Sequence, residues 1–126
     1  MWLINDDGFF STVQDYKDSD WVYVRGRSET DIEAFVIVAR RATSQDAWDA
    51  EIVHTPDRDY SWRVHTPPRE VWADYLVAKT LDLGYGNFKS HCADRWFADG
   101  RDFTVERLEI LHDAWMLMNH WPDHRL

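Results

Sequence analysis

The sequence predicts an α+β fold: an antiparallel four-stranded sheet built from two hairpins, in ββαββα order, with helices on one face and extra C-terminal helices. Three observations predict it. Two pairs of short segments rich in aromatic and β-branched residues are each joined by turn-forming residues. Each pair is followed by a stretch with apolar residues at helical spacing. A sheet with one apolar side and amphipathic helices bury each other most simply as two layers. At 126 residues the chain fits a single domain, residues 1–126.

The elements follow in order. Residues 8–14 and 21–27 read as the first hairpin, with the polar residues 15–20 as its loop. Alternation sets Val22 and Val24 on one face and Trp21, Tyr23 and Arg25 on the other, so both faces carry bulky side chains. An outer face turned only to water would be more polar. Ser28 then reads as a helix N-cap, with acids in the first turn and Arg40-Arg41 in the last, as the helix dipole favours. Ile32, Phe35, Val36 and Ala39 form its apolar stripe. After a polar link over 43–49, residues 51–55 and 60–66 read as the second hairpin, with one register placing Ile52 beside Trp62 and Glu51 beside Arg63. Thr66, with Pro67 at the first helical position, opens the next helix, whose buried stripe is Val71, Trp72, Tyr75, Leu76, Lys79 and Leu83 and whose end is Gly84. A turn over 85–89 leads to a short helix near 88–96. Thr104 then caps a last helix to about His120, with Leu108, Leu111, Trp115 and Met118 inward.

Composition limits the partners. The formal charge is −9, from 23 acids and 14 bases. Phosphate backbones and anionic membrane surfaces call for a basic footprint, so direct nucleic-acid binding and membrane binding are not expected. Residues 1–60 hold 13 acids and 6 bases, against 10 and 8 in 61–126. This acidic half either steers a basic protein partner or keeps an aromatic-rich chain soluble. Eight Trp, six Phe and five Tyr supply a ring-filled core with rings to spare for an interface. Cys92 is the single cysteine, which excludes an intrachain disulfide and a multi-cysteine zinc site. The residues at the N-terminus lack the basic start and apolar stretch of a secretion signal, and no apolar run is long enough to span a bilayer, so a cytoplasmic location is expected.

Several short motifs occur together: Met1-Trp-Leu with Gly8-Phe-Phe-Ser, Val24-Arg-Gly-Arg27, Asp59-Tyr60-Ser-Trp-Arg63-Val, Pro68-Arg-Glu-Val-Trp72, and Tyr85-Gly-Asn87-Phe88-Lys89. In these segments, up to about residue 95, the chain resembles a group of short bacterial and phage proteins with no assigned function. The resemblance implies a compact α+β fold. It implies no activity, cofactor or catalytic residue.

No catalytic set, cofactor motif or metal site emerges from the residues. His112 and His120 share a helix face but stand about 12 Å apart, too far to share one metal. Pro122 interrupts any helix between His120 and His124. His91 and Cys92 are adjacent on a helix and point apart, so they make no catalytic couple. Ser11, Ser61 and Ser90 lack the glycine elbow of a hydrolase, and Asp57 and Asp59 flank a turn. The cationic and aromatic strand residues stand out instead. Trp21, Tyr23, Arg25, Arg27 and Arg63 would share or border the helix-free face, as a dock for an anionic ligand or an acidic partner segment. The competing reading pairs these arginines with Glu51 and nearby aspartates. Tyr85, Asn87 and Lys89 form a second polar cluster in a turn.

The leading functional expectation is a non-enzymatic interaction module that binds a protein partner, or itself, through the aromatic outer face of the sheet. The phage-like resemblance specialises it to a small modulator of a host protein. Two alternatives stand beside it: an acidic mimic of the phosphate backbone that blocks a nucleic-acid-binding protein, and a small enzyme or ligand binder with a pocket between sheet and helices. Asp outnumbers Glu by 17 to 6, and many of the aspartates fall in turns, a scatter that weakens the mimic.

Overall fold

The computed structural model describes residues 1–45, 48–66 and 68–122. Pro67, residues 46–47 of the link after the first long helix, and Asp123 and His124 of the C-terminal cluster lie outside the described residues. The chain divides into two compact units, Met1–Gly84 and Tyr85–Leu126.

The first unit is an α+β layer pair. Its strands are β1 (Trp2–Asn5), β2 (Gly8–Gln14), β3 (Val22–Gly26), β4 (Ile52–His54) and β5 (Trp62–Thr66), and its helices are α1 (Glu29–Ala42) and α2 (Arg69–Leu81). The sheet is antiparallel throughout, in the order β1-β2-β3-β5-β4. It therefore has five strands where the sequence predicts four, and the element order opens βββα, not ββα. The extra strand is β1. Only four residues long, it gains its strand character from pairing Leu3 with Phe10 and Ile4 with Phe9 across a tight turn. Gly8 at that turn has φ +151°, and a Cβ there would lie 2.1 Å from Cγ of Asp31. Glycine alone fits.

Alternation along the strands sorts the side chains onto two faces. Phe10, Val22, Val24 and Val64 point into the core, where α1 contributes Ile32, Phe35, Val36 and Ala39 and α2 contributes Val71, Trp72 and Tyr75. Phe35 sits at its centre, with ring centroids 6.0 Å from Phe10, 5.7 Å from Trp72 and 4.7 Å from Tyr75. A polar network ties the turn after β1 to α2. The Tyr75 hydroxyl donates to Asp7 Oδ2 at 2.6 Å and accepts from Asn5 Nδ2 at 2.8 Å, while Lys79 Nζ meets Asp6 Oδ1 at 2.6 Å. Burial and the Asp7 carboxylate push the Tyr75 phenol far above its ordinary range, so it stays a donor. The helix face of Val71, Trp72 and Tyr75 is buried as its spacing predicts. Leu83 lies beyond the helix and is exposed, because α2 closes at Asp82 and not at Gly84.

Two other boundaries differ for physical reasons. Thr66 does not open α2: it ends β5, and its hydroxyl donates to the Val22 carbonyl at 3.0 Å, leaving Pro68 as the N-cap. Ser28 holds the N-cap position of α1, but its hydroxyl contacts the Thr30 hydroxyl at 2.9 Å rather than capping through its side chain. The register of β4 on β5 also shifts from the expected one. Ile52 faces Val64, Val53 faces Arg63 and His54 faces Trp62, so Glu51 is not opposite Arg63.

The second unit contains α3 (Phe88–Ala98) and α4 (Thr104–Met118), packed together. Cys92 and Trp96 of α3 are buried. The N-cap of α4 is Phe103, in the left-handed region at φ 58°, and Thr104 is the first helical residue, its hydroxyl donating to the Arg101 carbonyl at 2.8 Å. Leu108 and Leu111 are half-buried, whereas Trp115 and Met118 are 56% and 60% exposed, against the inward placement predicted for them. Among the described residues no helix is long and apolar enough to cross a membrane.

Candidate functional site

The sheet face opposite α1 and α2 carries the site. Register alone assembles it. Ser11, Arg25, Arg63 and Val53 are successive cross-strand partners over β2, β3, β5 and β4, and Val13, Tyr23 and His65 form the next row. Beyond β3, Trp21 extends the Tyr23–Arg25 side, as the alternation predicts. Trp21, Tyr23, Arg25, Arg63 and His65 are all half-buried, accessible at their edges and supported by neighbours.

The aromatic half of the face is a stack. The His65 ring lies 4.4 Å from Trp21, nearly parallel at 20°, and 4.8 Å from Tyr23. Its Nε2 contacts Asp15 Oδ2 at 3.1 Å. The other Asp15 oxygen accepts the Lys17 backbone N–H at 2.8 Å, and the Asp15 N–H donates to the Trp21 carbonyl at 2.9 Å. The Lys17 N–H, followed by His65 and Tyr23, holds the Asp15 carboxyl below its ordinary range, against a smaller opposing effect of burial. Burial, together with the Asp15 charge, pushes the Tyr23 phenol up. Sequence reasoning missed Asp15 and His65. His65 follows Arg63 by two residues on β5, so alternation places it on this face once the strand is assigned.

The cationic half is built on Tyr60. Arg25 and Arg27 lie over its ring, 4.8 and 5.3 Å from the centroid. Arg27 pairs with Asp59 at 3.0 Å, and both side chains are exposed. Arg25 donates from Nη2 to the Ser11 hydroxyl at 2.8 Å, and Arg63 from Nη2 to the Tyr60 carbonyl at 3.0 Å. Neither guanidinium has a carboxylate partner within ion-pair distance among the described residues. Arg63 Nε is buried without an acceptor. Burial, then the Arg25 and Arg58 charges, lower the Arg63 pKa from its ordinary value. The competing expectation, that Glu51 and nearby aspartates neutralise these arginines, therefore holds for Arg27 alone.

Beside Arg63 the surface sinks into a depression of about 340 Å³ lined by Trp21, Tyr23, His65 and Val53, with the acids Asp49 and Glu51. Aromatic walls beside one guanidinium suit a flat or apolar group, while Asp49 and Glu51 oppose an anion of more than one charge.

The remaining candidates belong to the second unit. Asn87 caps α3, its Oδ1 accepting the Ser90 N–H at 2.9 Å. The Tyr85 ring stacks on His91 at 4.0 Å. Lys89 Nζ donates to His112 Nδ1 at 3.2 Å and lies 5.3 Å from the Trp115 ring centroid. Tyr85, Asn87 and Lys89 thus make local contacts within the second unit. No group of three or more His, Cys, Asp or Glu able to hold a metal ion occurs among the described residues. Comparison with protein-family models finds no match, and comparisons with curated proteins and with solved structures find none either.

Proposed function

We propose that the chain is an interaction module that docks a protein partner on the open face of its sheet, centred on Trp21, Tyr23, Arg25 and Arg63. One observation carries the reading: the face of β3 and β5 opposite the helices holds bulky rings and two guanidiniums with no carboxylate within ion-pair distance among the described residues. Interfaces concentrate Trp, Tyr and Arg because such side chains bring large contact area and directed polar groups at low entropic cost. A face meant only for solvent gains nothing from half-burying two like charges.

The phosphate-mimic reading fares worse. Asp6, Asp7, Asp15 and Asp31 are buried, so they are unavailable for an exposed acidic stripe. A small-ligand reading has a footing in the depression beside Arg63, whose volume is at the low end of ligand pockets. It differs from docking in being satisfied by one small molecule.

A site-specific cross-linking experiment tests docking. A photoreactive phenylalanine analogue in place of Val13, on the open face, is compared with the same analogue in place of Ile37 on α1, which is 53% exposed. A partner captured at the first position and not the second is expected. Trp21→Ala should then weaken the purified complex more than about tenfold, the scale of a tryptophan hot spot. Equal capture at both positions, or indifference to Trp21→Ala, overturns the reading. Light scattering on the free protein reports whether the captured partner is a second copy.

A further inference from the structure

We propose that the Arg25–Arg63 pair is a carboxylate-binding site, and that its ligand is an acidic side chain on the docked protein partner. The inference rests on the docking reading and deepens it.

The register makes the pair. Arg25 and Arg63 are direct cross-strand partners, so their side chains leave the sheet side by side on one face. Like charges in that relation oppose pairing of the strands. Elsewhere on this face a balancing partner is provided: Arg27 has Asp59 at 3.0 Å and His65 has Asp15 at 3.1 Å. Among the described residues, Arg25 and Arg63 have only the Ser11 hydroxyl and carbonyl and the Tyr60 carbonyl, all neutral acceptors. Each guanidinium offers five N–H groups, and the buried Arg63 Nε has no acceptor among the described residues. The pair is short of both negative charge and acceptor oxygens, and a carboxylate supplies one charge and two oxygens together.

The groups are also held in place. Arg25 is fixed between Ser11 and the Tyr60 ring, and Arg63 is fixed by the Tyr60 carbonyl. Guanidiniums already oriented lose little freedom when a ligand arrives. The depression next to Arg63, walled by Trp21, Tyr23, His65 and Val53, receives the apolar side chain beside the acid.

Charge selects the source. Asp49 and Glu51 line the same depression, and the chain as a whole carries −9. A phosphate dianion, or a nucleic-acid backbone with many phosphates, meets more repulsion there than a single carboxylate on an apolar segment. The carboxylate of an aspartate or glutamate in a protein is the matched ligand.

The test follows the Nε–Hε resonances of the arginines by NMR during titration with acetyl-Leu-Glu-Leu-amide, acetyl-Leu-Gln-Leu-amide and inorganic phosphate. The Glu peptide is expected to shift the Arg25 and Arg63 signals saturably, with Arg40 on α1 unmoved. The Gln peptide should bind more than about tenfold more weakly, the scale of a charge-assisted hydrogen bond. Arg63→Gln should abolish the Arg25 shift without lowering Tm, because it removes a like charge. A fall in Tm of more than about 4 °C marks a structural arginine and overturns the site, as do equal responses to the Glu and Gln peptides. Tighter binding of phosphate overturns the choice of ligand. If the Glu peptide fails while capture at Val13 succeeds, the carboxylate inference falls and docking stands. If the peptide titrates and capture fails, docking falls and the anion site remains.

Discussion

Phe9 and Phe10 are chain neighbours of identical chemistry on β2, and the fold treats them in opposite ways. Phe10 is fully buried, with its ring 6.0 Å from Phe35 and 6.3 Å from Tyr75. Phe9 lies on the open face, half-buried, 5.9 Å from Trp2 and 6.2 Å from Tyr60 in edge-on contacts. The covered face is held by exclusion of water, which depends on apolar area and shape. The open face is held by rings stacked on rings, rings under cations and one imidazole–carboxylate contact, all of which leave edges available to a visitor. One strand therefore packs every second residue into the core and turns those between to the open face, where the docking surface is proposed.

The difference should appear most strongly in a matched pair of truncations. Phe10→Ala opens a cavity beneath α1 and α2 and should cost about 3–5 kcal/mol. Phe9→Ala should cost less than half as much, since part of its ring already meets water. Urea unfolding of the two variants measures both. Equal losses would mean that the open face is a second core and not a docking surface.

Tyr75→Phe sharpens the same contrast within the covered side. It removes the hydroxyl that donates to Asp7 and accepts from Asn5, while leaving the ring in place. A loss of about 1–3 kcal/mol is expected, the cost of leaving a buried polar group without its partner. An unchanged unfolding midpoint would show that Lys79, 3.3 Å from Asp7 Oδ2, suffices alone.

Much of this division was legible in the sequence. The period of two over residues 21–25 separates Val22 and Val24 from Trp21, Tyr23 and Arg25 without any tertiary information, and the structure keeps that separation. The stripe Ile32, Phe35, Val36 and Ala39 was equally plain, because these residues recur at i, i+3, i+4 and i+7 along α1. Other features depend on contacts that no local pattern contains. β1 is too short to announce itself and exists through its pairing with β2. Thr66 carries a cap-like hydroxyl but gives it to the Val22 carbonyl, 44 residues away. Asp15 and His65 meet across 50 residues of chain. Apolar residues surround most of α4, so periodicity gives no phase, and Trp115 and Met118 lie exposed where the sequence predicts them inward.

On the open face, truncation should harm recognition more than folding. Trp21→Ala removes the stack on His65 and should cost about 0.5–1.5 kcal/mol of stability, well under the Phe10→Ala loss. Its effect on the docked complex should be the larger of the two. A stability loss matching that of Phe10→Ala would place Trp21 with the core.

The smallest effect, and the most diagnostic of how the open face is held, concerns pH. The Lys17 N–H, His65 and Tyr23 depress the Asp15 pKa in the folded chain. A group with a depressed folded pKa contributes stability above its unfolded pKa, about 3.9 for an aspartate, and loses it as pH falls through the folded value. Tyr23 has the opposite sign: its folded pKa is raised by burial and by Asp15, so the stabilisation it shares is present below its unfolded pKa of about 10 and is lost above it. Asp15→Asn removes the acid limb and relaxes Tyr23. The stability gap between wild type and Asp15→Asn should be open at neutral pH and narrow as pH falls below about 4, as read from urea midpoints across the series. A gap that persists unchanged at pH 3 would mean that Asp15 acts as a neutral hydrogen-bonding group. The Trp21–His65–Tyr23 stack would then stand on ring contacts alone.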